Sequence, residues 1–186
     1  MRIKKVNAAV SLFSCLGLTA HVIYNAVAYI IFYYNPVLSK ALGFGVMGLI
    51  CIHACLSIII VASSHDSARI RYKRLNMRTL FQRITAVMML LLLPLHIFNF
   101  DLIHKSGVGL VFWLLESVQV LFYAAVMYHM ALSFSNALVT LGLLESVRKK
   151  KVIDTVLLVT ASIMFIAMGI IVLTTQYKMM SATGGT

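Results

Sequence analysis

Histidine is the residue type in this sequence with the most chemistry to offer. Of six histidines, His21, His53, His96 and His129 stand inside long apolar runs, while His65 and His104 stand between runs. A neutral imidazole is a metal ligand and a proton carrier. An ionisable side chain at membrane depth is costly and faces the protein interior. One such histidine is accounted for by a hydrogen bond to a neighbouring helix; one in each of four consecutive runs asks for more. Bis-histidine ligation of b-type haem takes one imidazole on each face of the iron, so four histidines serve two haems. A histidine-only zinc or copper site needs its ligands to converge on one point. A proton relay would recruit carboxylates, of which Glu116 is the clear one within an apolar run. Cys15, Cys51 and Cys55 form no CxxC or CxxCH, which leaves thiolate metal sites and covalent haem attachment unsupported. Cys51 and Cys55 read as small packing residues, and Met88, Met89, Met127 and Met130 as flexible packing.

The elements that must position the histidines follow from composition. The chain has 186 residues, 61% hydrophobic and 11% charged, too little polar surface to cover a globule in water. The bilayer is its natural solvent. The reading is an all-α integral membrane protein, a five-transmembrane-helix bundle with spans at 7–34, 41–63, 80–101, 108–141 and 152–177, each near or above the roughly 20 residues needed to cross. The first run continues to Tyr34, too long for a signal peptide, and is taken as a retained span. Residues 1–178 form a single domain and 179–186 a short C-terminal tail. The net charge of +11 is gathered between the runs and marks topology rather than nucleic-acid binding. Thirteen of the sixteen Lys and Arg lie at the N-terminus, around 69–83 and at 148–151, against Lys40, Lys105 and Lys178 on the other side. This asymmetry places the N-terminus in the cytoplasm.

Helical spacing gathers polar and small residues onto stripes with the histidines. These are Ser14, Gly17, His21, Asn25 and Ala28 in the first span; Gln82, Thr85, Met89, His96 and Asn99 in the third; and Glu116, Gln119, Tyr123, His129, Ser133, Asn136 and Thr140 in the fourth. Packed helices would also turn polar residues inward, so the stripes alone name no cofactor. Depth suggests a pairing. At about 1.5 Å per residue, His21 lies about 22 Å from the cytoplasmic end of its span, His53 about 15 Å, His96 about 26 Å and His129 about 20 Å. Ligands of one haem need similar depth, which favours an outer pair His21/His96 and an inner pair His53/His129.

The five-span plan, the N-inside topology, the four histidines and the segment Phe81-Gln82-Arg83-Ile84-Thr85-Ala86 ahead of His96 resemble the five-helix di-haem cytochrome b membrane anchors of succinate dehydrogenases and quinol:fumarate reductases. The segment is similar to a His-Arg-x-Ser/Thr-Gly motif of that family, with Gln82 and Ala86 in place of the His and Gly. The resemblance implies two haem b groups, flavoprotein and iron–sulfur partner subunits, electron transfer to or from a quinone, and a place in a bacterial cytoplasmic membrane. The dicarboxylate chemistry would belong to the flavoprotein. Under this reading Arg78, Arg83 and Arg71 are candidates for the haem propionates, since arginine suits bidentate carboxylate recognition. Asn99, Asp101, Trp113, Glu116 and Gln119 are candidates for a quinone site, with Glu116 the proton carrier. As plain membrane features, the arginines would set topology and Trp113 would sit in an interfacial belt. Other readings are an anchor for a different flavoprotein reductase, or a small haem-free transporter or scaffold subunit.

Overall fold

A computed structural model describes residues 2–63, 73–106 and 108–183. His65, Arg69 and Arg71 fall outside the described residues, as do the side chains of Lys73 and His104. Five α-helices follow one another: α1 (Arg2–Ile31), α2 (Pro36–Ser63), α3 (Lys73–Ser106), α4 (Leu110–Leu141) and α5 (Val147–Thr183). Each contains a stretch long and apolar enough to cross a membrane. The chain is a five-span, all-α membrane protein.

Three helices overrun the expected spans: α2 starts at 36 rather than 41, α3 runs from 73 to 106 rather than 80 to 101, and α5 from 147 to 183 rather than 152 to 177, whereas α4 stays within its span and α1 ends at 31, short of 34. The helix of α5 thus takes in residues 179–183. Hydropathy marks where a helix lies in hydrocarbon, whereas the backbone ladder continues until a cap or breaker ends it. The breakers are visible. Phe32 has φ 52° after the last turn of α1. Asn35 Oδ1 accepts from the Val37 and Leu38 amides, both at 3.1 Å, and Pro36 takes the first helical position, where a missing N–H costs nothing. Tyr24 Oη ties this turn back to α1 by accepting from the Asn35 amide at 2.9 Å and donating to its carbonyl at 3.0 Å. At the end of α4, Gly142 sits at φ 79° while the Leu143 amide reaches the Leu138 carbonyl at 2.9 Å, a left-handed cap that favours glycine.

α4 is the central helix. It buries Phe112, Glu116, Gln119, Phe122 and Ser135 among others, while α2 buries only Val46 among its described residues. α4 packs against α3, α1 and α5; α1 packs against α2 and α5; among the described residues α2 and α3 form no extensive interface. The order across the bundle is α2–α1–α4–α3, with α5 laid behind α1 and α4. The large apolar residues on the outside, such as Phe13, Phe44, Leu91 and Ile163, are the lipid-facing surface this fold requires. At the end where α3 finishes and α4 begins, Ile103, Phe112 and Met180 close a small apolar core.

Polar links fasten neighbouring helices. Asn7 Nδ2 donates to Ser57 Oγ at 3.2 Å between α1 and α2, Gln82 Nε2 to Ser133 Oγ at 2.9 Å between α3 and α4, and Gln176 Nε2 to Tyr29 Oη at 3.2 Å between α5 and α1. The largest link joins α3, α4 and α5 at the basic end. There Arg78 meets Asp154 through two nitrogens, at 2.6 and 2.8 Å, and Lys150 meets the same carboxylate at 2.9 Å. Ser135 also donates to Asp154, and Arg78 donates to the Leu132 carbonyl at 2.9 Å.

Candidate functional site

The histidines occupy the four helices of the α2–α1–α4–α3 row, one on each. None is fully exposed. His96 and His21 lie within electrostatic range of one another, and so do His129 and His53. Each pair spans non-neighbouring helices of the row, α1 with α3 and α2 with α4.

Their surroundings differ. His129 Nδ1 lies 3.0 Å from the Gln82 carbonyl and 3.1 Å from Thr85 Oγ1. A carbonyl only accepts, so the proton belongs on Nδ1 and the Nε2 lone pair is left free. This is the tautomer a metal-ligating histidine adopts, oriented by a backbone carbonyl. Thr85 is held in turn by donating to the Phe81 carbonyl at 2.9 Å. His96 Nδ1 accepts from Gln119 Nε2 at 2.7 Å, and the ring stacks on Phe122 with centroids 4.6 Å apart. The two ends of the Gln119 amide are nearly the same shape. Turned over, its oxygen would accept from Nδ1 and free Nε2, as at His129. His53 lies against the Asn7 backbone, and its Nδ1 is buried with no hydrogen-bond partner. His21 is crossed by the Asn25 amide, 3.2 Å from Nε2, while that amide also donates to the His21 carbonyl at 2.8 Å.

Glycines set the approach of α2 to α1. A β-carbon on Gly17 would stand 3.1 Å from Val46 Cγ2, and one on Gly43 would stand 3.6 Å from His21 Cε1. Gly17→Ala is expected to destabilise the α1–α2 pair by about 1–3 kcal/mol through overpacking. Gly43→Ala should be tolerated, because 3.6 Å is ordinary contact. Gly43→Leu should push the His21 ring aside and cost stability. Thermal unfolding of the three variants checks this.

The arginine candidates separate. Arg78 is committed to Asp154 and Ser135, a structural role that the sequence reading had not assigned. Arg83 is exposed. Among the quinone candidates, Asn99, Glu116 and Gln119 are buried, whereas Asp101 and Trp113 are exposed. Trp113 packs edge-on against Phe112 and lies 6.2 Å from the Tyr177 ring, as an interfacial aromatic does. Glu116 is 1% exposed, and both its carboxyl oxygens lack a hydrogen-bond partner. Tyr29 and Tyr123 lie within its electrostatic range. Gln119, one turn along α4, meets both Tyr123 and His96. Glu116, Gln119 and His96 therefore form one polar track along the α3/α4 side of the row, and Tyr29 and Gln176 flank it.

Among the described residues no group of three or more His, Cys, Asp or Glu is gathered closely enough to hold a metal ion. A histidine-only zinc or copper centre therefore lacks a ligand set there. Paired histidines suit a metal that arrives with its own equatorial ligands. Comparison with family models, with curated proteins and with solved structures returns no match.

Proposed function

We propose that this chain is a di-haem b-type cytochrome subunit that anchors flavoprotein and iron–sulfur partners at the membrane and passes electrons between them and a quinone. One observation carries the proposal: His21 and His96, and likewise His53 and His129, lie within electrostatic range of one another on non-neighbouring helices of the row. Two imidazoles brought that close from separate helices suit an apolar planar group held between them. The fit is supported by the His129 tautomer. Bound there, haem with both axial positions filled supplies one-electron transfer without oxygen uptake.

The chain's own residues have defined parts. Gln82 and Thr85 hold the His129 ring by its Nδ1, and Gln119 and Phe122 hold that of His96. Quinone redox chemistry also moves protons, and Glu116 is the buried carboxyl group available to carry one. A pyridine haemochrome assay on the purified full chain tests the proposal. About two haems per polypeptide with a low-spin spectrum are expected from bis-histidine ligation. A folded, colourless protein would end it. Co-purification of neighbouring subunits would identify the flavoprotein partner and separate a succinate or fumarate enzyme from another reductase.

A further inference from the structure

The basic end carries charge that the electron-transfer reading does not use. Arg148, Lys149, Lys150 and Lys151 occupy the first turns of α5, which has no acidic residue in its first turn. A helix N-terminus is the positive end of the helix dipole and disfavours cations. Four of them stacked there are therefore in an unfavourable field. Asp154 neutralises part of it, but shares its oxygens between Lys150 and Arg78. With Arg78 the local cations outnumber Glu145 and Asp154 by three. Arg148 and Lys151 are exposed, and no ion pair is seen for either among the described residues.

Two adjoining grooves lie at this charge. One is an open strip along α5 beside Arg148, Lys151 and Val152. The other, of about 200 Å³, lies between α4 and α5 and reaches Arg78, Tyr128, Asp154 and Leu158. Lys151 and Thr155 belong to both. Asp154 is held by Arg78 and Lys150, so the two together combine a cationic mouth at Arg148 and Lys151, hydroxyl groups on Tyr128 and Thr155, and apolar walls of Val152, Val156, Leu132 and Leu158. Arg78 keeps its Nε–H buried without an acceptor beneath them.

We propose that this is a binding site for an anionic phospholipid of the leaflet at the basic end. The phosphate would sit against Arg148 and Lys151, and an acyl chain would lie along the apolar walls. Charge complementarity selects the class: a zwitterionic lipid offers no net anion, and a free anion has no use for the apolar walls. Basic pockets between transmembrane helices on the cytoplasmic side are suited to anionic headgroups. The inference does not depend on haem.

The test uses the purified full chain in detergent, titrated separately with phosphatidylglycerol, phosphatidylcholine and inorganic phosphate. Native mass spectrometry reads bound lipid, and thermal unfolding reads stabilisation. Phosphatidylglycerol is expected to be retained and to raise the unfolding temperature, with phosphatidylcholine and phosphate doing neither. Arg148→Gln with Lys151→Gln should weaken retention by about thirtyfold, from the loss of two surface cations. Lys105→Gln with Lys178→Gln removes the same charge at the other end and should leave retention unchanged. Lys151→Gln alone, at an exposed position, serves if the double variant fails to fold. Equal stabilisation by phosphatidylcholine overturns the proposal. So does equal stabilisation by phosphate, equal loss in the Lys105/Lys178 control, or undiminished retention in the Arg148/Lys151 variant.

Discussion

If the proposed di-haem reading holds, replacing His129 by alanine is expected to halve the haem content of the purified protein, and replacing His53 should do the same. Combining the two changes should cost nothing more, because both remove ligands from one iron. His21→Ala and His96→Ala should likewise remove the other half, singly or together. A cross-combination such as His21→Ala with His53→Ala should leave the chain colourless. This pattern follows from which histidines lie near one another: His96 lies within electrostatic range of His21, and His129 of His53. The effect is large because a b-type haem is held chiefly by its axial ligands and its apolar slot. Haem-to-protein ratios for the four singles and the six doubles decide the matter. One haem retained by the His53/His96 double variant, with none in His53/His129, would reverse the pairing.

The second large effect concerns stability alone. Asp154→Asn is expected to cost about 2–3 kcal/mol, since it leaves Arg78 and Lys150 facing each other across a partly buried junction with no carboxylate between them. Arg78 and Asp154 are each 23% exposed, so some of the full buried-pair penalty is screened by solvent. Arg78→Met should cost a similar amount by stranding Asp154. Arg78→Met combined with Asp154→Leu should recover much of the loss, because an apolar pair of similar volume has no charge to desolvate. Lys150→Met should cost no more than about 1 kcal/mol, as a side chain nearer the rim. Thermal unfolding of apoprotein and pigmented protein measures all four. If Arg78→Met left stability unchanged and altered only the absorbance, Arg78 would return to the role of a propionate partner.

Asp154 shows what the sequence allowed and what was passed over. An acid four residues after Lys150, at the foot of the most apolar helix, is an i,i+4 partner legible from spacing. Its second partner, Arg78, lies 76 residues away and is visible only once α3 and α5 meet the same end of α4. The five spans were legible because hydrocarbon demands about 20 apolar residues at a stretch. The end of the fourth span at 141 and the break at Asn35-Pro36 were legible too, but the start of α3 and both ends of α5 were not, because helices continue into polar territory until a cap or breaker stops them. The inward stripes were legible for the most part: of Gln82, Thr85, His96 and Asn99 on α3, none is exposed, whereas Thr140 at the end of the α4 stripe is. The fine structure around each ring was not. The Gln82 carbonyl that fixes His129 is a backbone group, and no side-chain pattern announces it.

The lack of an extensive interface between α2 and α3 among the described residues also bears on how the chain is made. Helices that are consecutive in synthesis, α1 with α2 and α3 with α4, pack as antiparallel hairpins. Each hairpin can enter the bilayer as a unit with its partner already beside it. The two hairpins then need only one long-range meeting, α1 with α4, before α5 arrives to lie behind both. Assembly is thereby reduced to a single docking of preformed halves.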